Sequence, residues 1–273
     1  MCEVSILVAC HKQADVFSND VYNPIHVGKA LHPECDLGFG GDDSGDNISR
    51  KNPSYCELTA QYWAWKNLDC EVVGLSHYRR YFEDLDSKEK VLKALNGYDI
   101  ILPSPITWYC NLENKLTREL TLEDVAIFYK VLVKMYPEYE KTTINYLYGF
   151  HFVGYNMFIT NKKLFNKYAE FQFGILSECE KYIRLSDYCR LRRIFGYFAE
   201  YLLPIYCIHN NLKINYVNVV PFMGLKFEKP FLLKKKIQNL INVYLPTVRK
   251  PKKLNDLINS TTELALSSDQ III

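Results

Sequence analysis

The stretch EVVGLSHYRRYF, residues 71–82, places a histidine and two arginines directly after a short apolar run. The run EVVGL at 71–75 predicts a short buried strand. In open α/β sheets, ligands bind in the crevice beyond the carboxyl ends of the strands. His77, Arg79 and Arg80 would lie there, where guanidinium groups can hold phosphate through paired hydrogen bonds. The alternative is an exposed turn that ends the strand with solvated charge.

In the rest of the chain, segments with the apolar pattern of strands alternate with segments in which apolar residues recur at helical spacing. The apolar run VSILVAC at 4–10 predicts another buried strand, and residues 13–50 read as loop with short elements. Ser54 and Glu57 have the spacing of a capping box at the start of a helix over 54–68. The other predicted elements are helices at 87–96, 121–147 (broken at 136–137), 162–180 and 187–206, and strands at 98–103, 152–159 and 214–220. This alternation predicts an α/β fold with a mostly parallel sheet flanked by helices.

The composition is that of an ordinary globular protein with a sizeable core. Of 273 residues, 48% are hydrophobic and 23% charged, and the net charge of +2 gives no argument for a nucleic-acid partner. The nine cysteines form no C-x-x-C pair, so we expect reduced thiols in a cytoplasmic protein. We see neither a signal peptide nor an apolar run of about 18 residues.

The character of the chain changes near its end. We divide it into a main domain at 1–225 and a basic, amphipathic, helical extension at 226–273. A basic amphipathic helix can lie on an anionic membrane surface. The alternative is a helix that packs back on the domain with solvated lysines.

An acidic loop is a candidate metal site. Asp42, Asp43 and Asp46 lie within five positions, and Mg²⁺ or Mn²⁺ favours such oxygen ligands. The alternative is an ordinary turn rich in Asp and Gly.

Glu200 is a candidate general base. It lies among aromatic residues of a predicted helix, where burial would raise its pKa. The alternative is an ion pair with Arg192 or Arg193. The common nucleotide-binding and hydrolase signatures are absent from the chain.

Several stretches together resemble a family of bacterial glycosyltransferases from capsular, exopolysaccharide and O-antigen gene clusters. The likeness covers roughly residues 4–222, and the two longest motifs are specific. The matching stretches are HK at 11–12, DVYNPIHVG at 20–28, DDSGDNIS at 42–49, KNPSYCELTAQYWAWKN at 51–67, GLSHYRRYF at 74–82, YNMFI at 155–159 and GYFAE at 196–200.

The resemblance implies a GT-A-like, Rossmann-type fold and transfer of a sugar from a nucleotide-sugar donor. Some relatives look like galactofuranosyltransferases, which implies UDP-galactofuranose or another UDP-hexose as donor, a growing, lipid-linked glycan as acceptor, and inversion at the anomeric carbon. Arg79, Arg80 and Glu200 would be catalytic. The residues expected at the donor are His11, Lys12, Asp46, Asn47, Tyr62, Trp65, His77, Tyr78, Tyr155 and Asn156.

The resemblance does not decide whether the enzyme uses a divalent metal. GT-A enzymes usually carry Asp-x-Asp after an inner strand, whereas here the comparable strand ends in His-Tyr-Arg-Arg. We favour a clamp of Arg79 and Arg80 that neutralises the leaving diphosphate. The alternative is Mg²⁺ or Mn²⁺ on Asp42 and Asp43 with Asp46.

Two departures from the family bear on activity. Tyr201 follows Glu200 where relatives have Arg, and segment 106–122 contains no histidine near the expected acceptor side. The rival interpretation is therefore a catalytically inactive nucleotide- or sugar-binding subunit of a polysaccharide assembly system.

Overall fold

The computed structural model describes residues 2–224 and 226–227. The predicted helical extension from 228 onward lies outside the described residues. Lys226–Phe227, placed at its start, form a short strand paired with the strand before them. Among the described residues, no helix combines the length and the apolar character needed to cross a membrane.

Eleven strands are present in the described part of the chain. They are β1 (Cys2–Cys10), β2 (Tyr22–His26), β3 (Cys70–His77), β4 (Arg80–Phe82), β5 (Ile100–Pro103), β6 (Ile106–Thr107), β7 (His151–Phe152), β8 (Phe158–Asn161), β9 (Ile214–Val217), β10 (Val219–Met223) and β11 (Lys226–Phe227).

Nine α-helices accompany these strands in the same described ranges. They are α1 (Asn52–Tyr55), α2 (Leu58–Asn67), α3 (Lys88–Leu95), α4 (Leu112–Glu119), α5 (Leu122–Met135), α6 (Glu140–Tyr148), α7 (Lys162–Cys179), α8 (Cys189–Arg192) and α9 (Ile194–His209). Several begin at side-chain caps. Ser87 Oγ accepts from the Lys90 amide at α3, and Thr121 Oγ1 accepts from the Asp124 amide at α5.

The α/β architecture expected from the sequence is confirmed, with a nine-stranded sheet between helical layers. Strand β1 is buried on both faces. Leu7 and Ala9 belong to the core under the helices, whereas Ile6 and Val8 belong to the core on the opposite face. This alternation explains why its sequence is a continuous apolar run rather than an alternating one.

The sheet contains antiparallel pairs as well as the expected parallel ones. Strand β1 lies between β2 and β3 and runs parallel to both, and β5 runs parallel to β9. Strand β8 lies between β3 and β5 and runs antiparallel to both. The hairpin of β3 with β4 and the β4–β10 pair are also antiparallel.

Three local predictions are corrected. Residues 13–50, which we expected to be loop, contain strand β2. This strand includes a proline, and its sequence lacks the apolar pattern that would have predicted it. The predicted strand 152–159 is divided into β7 and β8 by a turn. The predicted helix 54–68 is interrupted at Cys56, which has a φ of 54°. The capping box does not form, since Ser54 Oγ donates to the Lys51 carbonyl.

Candidate active site

A cavity of about 380 Å³ opens at the carboxyl ends of the parallel strands β1 and β3. The chain passes from β1 to β2 on one side and then returns to β3 on the other. Such a switch point is where open α/β sheets bind ligands. The lining residues are Ala9, His11, Val27, Asn52, Pro53, Cys56, Glu57, His77, Tyr78, Arg79, Arg80, Asp187, Cys189, Arg192 and Arg193.

The β3–β4 hairpin supplies the cations of one wall. His77 pairs with Arg80 across the hairpin, and Ser76 Oγ donates to the Arg80 carbonyl at 2.6 Å. The Arg79 guanidinium lies 5.1 Å from the ring centroid of buried Tyr78. The Arg80 guanidinium lies 4.4 Å from the ring centroid of Tyr155. Aromatic faces therefore support both guanidinium groups beside the cavity.

His11 follows β1 and lies against the edge of Tyr78, with ring centroids 5.7 Å apart. Burial lowers the pKa of His11, and the positive charges of Lys12, Arg193 and Arg79 lower it further. His11 is therefore a neutral imidazole at pH 7. Lys12 is exposed and does not belong to the lining residues.

Glu57 provides a buried carboxylate to this cationic cavity. Its side chain accepts a hydrogen bond of 2.6 Å from Asn156 Nδ2, and its Oε1 lies 3.7 Å from His77 Nε2. Burial by itself raises the pKa of Glu57, but His77 and the Asn156 hydrogen bond outweigh it and lower the pKa overall. Glu57 is therefore ionised at neutral pH.

The interruption at Cys56 aims Glu57 into the cavity. Cys56 lies against Gly196 of α9, where an added Cβ would come within 3.1 Å of the Cys56 sulfur. Arg193 Nε donates to Cys56 Sγ at 3.2 Å. Helices α1 and α9 thus approach closely, and the sparsely populated backbone conformation at Cys56, with φ 54° and ψ −130°, redirects the chain.

The turn at 153–157 forms hydrogen bonds to both the β3–β4 hairpin and α9. Tyr155 and Asn156 both have positive φ values, of 76° and 51°. The Tyr155 carbonyl lies 2.9 Å from His77 Nε2, and the Tyr155 amide donates to Glu200 Oε1 at 2.7 Å. Strained residues of this kind persist where the surrounding structure holds them, often at functional sites.

Glu200 lies on the far side of this turn from Glu57 and is not among the residues that line the cavity. Burial raises its pKa to about 7, and the charge of Glu57 adds to the effect. The predicted rise is confirmed. The alternative ion pair is wrong, because Arg192 pairs with Asp187 at 3.0 Å and Arg193 contacts Cys56. The catalytic role of Glu200 stays a prediction.

The acidic loop lies outside the cavity lining. Asp42 is buried, and its carboxylate accepts from the amides of Gly28 and Lys29 and from the Ser49 hydroxyl. Asp43 is exposed. Among residues 2–224 and 226–227, no group of three His, Cys, Asp or Glu side chains could hold a metal. The hydrogen bonds give Asp42 a structural role, and a metal here stays a prediction.

Four predicted donor residues are also placed elsewhere. Tyr62 and Trp65 lie on α2 and pack against Phe173, with Trp65 stacked at 5.8 Å. The Tyr62 hydroxyl donates to Asp46, and Asn47 donates within its own loop. The structure therefore brings His11, His77, Tyr78, Arg79 and Arg80 together, with Tyr155 and Asn156 bonded behind them, but not the residues of α2 and the acidic loop.

Comparison with known proteins assigns the chain to a family. The family model described as a domain of unknown function (DUF4422) matches residues 5–211. The chain belongs to this family. No curated protein matches the chain.

A solved structure, the apo form of the bifunctional glycosyltransferase WbbM, is similar to this DUF4422 protein. The TM-score is 0.73 at 28% sequence identity. The match covers 84% of this chain and 48% of that chain, so the DUF4422 protein spans about half the length of WbbM. The similarity supports the resemblance to glycosyltransferases, while the GT-A subclass and the motif roles stay predictions.

Sequence reasoning missed Glu57, Asn52, Asp187 and Cys56 of the DUF4422 cavity. Glu57 was assigned to a capping box, and its spacing from Ser54 allowed that interpretation. One local signal could have indicated a buried Glu57. Within the motif at 51–67, its carboxylate lies next to an apolar helix face that would bury it.

Proposed function

We propose that this protein is a glycosyltransferase that moves a sugar from a nucleotide-sugar donor to a growing cell-surface glycan. The observation that carries the proposal is the cavity at the ends of β1 and β3, which four arginines and two histidines line. A diphosphate is the part of a nucleotide sugar that such guanidinium groups bind best. The similarity to WbbM supports the same chemistry.

In the proposed reaction, the bond between the anomeric carbon and the β-phosphate oxygen breaks while an acceptor hydroxyl attacks. Negative charge builds on the leaving diphosphate, and Arg79 and Arg80 neutralise it. A carboxylate takes the proton of the acceptor hydroxyl, and Glu200 is our candidate because a pKa of about 7 suits a base at neutral pH. Attack from the opposite face gives inversion.

Our candidate donor is a UDP-hexose, with UDP-galactofuranose first, and our candidate acceptor is a lipid-linked glycan. Two arginines at the β3–β4 turn favour a mechanism in which side chains neutralise the diphosphate. A divalent metal at Asp42 and Asp43 is the alternative. The carboxylate of Asp42 already accepts three hydrogen bonds from the chain. These bonds make Asp42 a less favourable metal ligand.

The test is a panel of UDP-sugars assayed for hydrolysis, with and without EDTA. We expect release of UDP from at least one donor, unchanged by EDTA. Arg79→Ala and Arg80→Ala should each lower turnover, by about 100- to 1000-fold if they act as single transition-state donors do. The matched control is Arg184→Ala, an exposed arginine outside the lining residues.

Three other outcomes would contradict parts of this proposal. Near-normal turnover in both arginine variants contradicts the clamp. Loss of activity with EDTA would indicate that a divalent metal neutralises the diphosphate. Tight UDP binding without turnover of any donor supports the inactive binding subunit instead.

A further inference from the structure

We propose that Glu57 is a specificity-determining residue, whose carboxylate accepts hydrogen bonds from hydroxyl groups of the transferred sugar. This inference rests on the proposed function and adds the orientation of the donor: sugar inward at Glu57, diphosphate outward at the arginines. It assigns a ligand contact to a residue whose spacing suggested only a helix cap.

The first argument is the contrast between the two carboxylates that line the cavity. Asp187 is exposed and pairs with Arg192 at the rim. Glu57 is only 8% exposed and lies deeper. The two acids therefore mark an outer and an inner part of one cavity, and the inner part has an acceptor-only group at its wall.

The second argument is how Glu57 is held. Asn156 Nδ2 donates to its Oε1 at 2.6 Å and to the Gly196 carbonyl at 3.0 Å, which fixes the amide between α9 and the carboxylate. The His77 contact also reaches Oε1. Both of these side-chain contacts reach one oxygen, Oε1. The carboxylate also accepts from the Glu57 backbone amide, which leaves at least one of its four acceptor positions for a ligand.

The third argument is charge. A diphosphate placed beside ionised Glu57 would meet a like charge in a partly buried site, which is costly. Arg79 and Arg193 are exposed, and the cavity includes both. The anionic part of the donor is therefore most stable toward these arginines, and the uncharged hydroxyl-bearing part toward Glu57.

The fourth argument is size. Pockets that enclose whole drug-sized ligands measure about 300–1,000 Å³, and this cavity of about 380 Å³ is near the lower limit. Such a volume suits enclosure of one part of a nucleotide sugar, with the rest extending to the open rim.

The decisive experiment measures by calorimetry the affinities for UDP and for three UDP-hexoses, in wild type and in Glu57→Gln. The three are UDP-galactose, UDP-glucose and UDP-galactofuranose. We expect UDP affinity within about twofold of wild type. We expect the affinity of the best-bound UDP-hexose to fall roughly tenfold or more, as on losing one hydrogen bond to a charged group. Glu170→Gln, an exposed carboxylate on α7, is the matched control.

The outcomes separate this inference from the proposed function. Equal losses for UDP and the UDP-hexose, or no loss for either, overturn the role of Glu57 without contradicting a nucleotide site in the wild type. If wild type binds neither UDP nor any UDP-hexose, the proposed function itself fails.

A second measurement needs no variant at Glu57 and covers the case in which Glu57→Gln does not fold. Wild type is titrated with monodeoxy analogues of UDP-galactose and UDP-glucose. We expect at least one deoxygenated position to weaken binding about tenfold relative to the parent sugar. Equal affinity for every analogue would show that no buried acceptor reads the sugar hydroxyls, and would overturn the inference.

Discussion

Glu57 and Glu200 lie on either side of one turn and have opposite pKa shifts. Burial raises the pKa of Glu200 to about 7, and Glu57, Glu119 and Lys115 are the charges that also act on it. Glu57 is buried too, but His77 and Asn156 lower its pKa overall. Partner chemistry, and not burial alone, therefore decides which of the two carboxylates stays ionised at neutral pH.

Glu200→Gln should change how stability depends on pH. The folded-state pKa of Glu200 is raised from 4.5 to about 7, so its contribution to stability is full below pH 4.5 and is lost as pH rises through 7. Glutamine does not titrate. We expect the variant to gain stability relative to wild type between pH 5 and pH 8, by at most about 3 kcal/mol.

Urea unfolding of both proteins at pH 5 and pH 8 measures this difference. Glu170→Gln makes the same chemical change at an exposed site of α7 and should show no comparable gain. A stability difference between Glu200→Gln and wild type that does not vary with pH would contradict the raised pKa of Glu200.

At the scale of elements, strand β3 leads into the hairpin that supplies two of the four arginines of the cavity. It lies between β1 and β8, and Gly74 permits this close packing. A Cβ at Gly74 would come within 2.9 Å of both the Ile159 side chain and the Phe158 carbonyl, and within 3.2 Å of Ile6. One of these neighbours is backbone, so the sheet itself would have to shift.

Gly74→Ala should therefore destabilise the protein, by about 1–3 kcal/mol, as overpacking of a filled core does. The matched control is Gly174→Ala on α7, where an added Cβ meets no atom closer than 3.8 Å. Alanine is also the better helix former there, so this variant should keep or raise stability. Denaturant unfolding of the pair is the measurement, and equal midpoints would show that β3 tolerates the extra methyl group.

At the scale of the whole molecule, the cavity opens at one edge of the sheet and the basic segment begins beyond β11. The sequence after 227 interleaves lysines with apolar residues. We predict that the intact chain binds vesicles containing anionic lipid and that a chain truncated after residue 225 does not, because basic amphipathic segments are attracted to such surfaces.

Co-sedimentation with anionic and with neutral vesicles tests this prediction, and salt should weaken the binding by screening. The truncated chain must first show the same UDP affinity as the intact chain, which controls for folding. Equal sedimentation of both chains would exclude the basic segment as the membrane contact.

The sequence by itself determined the features that depend on neighbouring residues along the chain. The apolar run of β1, the helix that starts near Ser87 and the break near Tyr136 each follow from a pattern within a dozen residues. The position of His77 and Arg79 beyond a strand end was equally local, because the strand and the cations belong to one stretch.

Only the tertiary structure decided which residues share the cavity. Glu57 meets Asn156 across 99 residues of chain, and Tyr155 meets Glu200 across 45. The antiparallel direction of β8 and the internal hydrogen bonds of Asp42 likewise depend on partners far along the chain. A capping box and a buried glutamate that lines a cavity have the same local spacing, and only the packing of α9 against Cys56 distinguishes them.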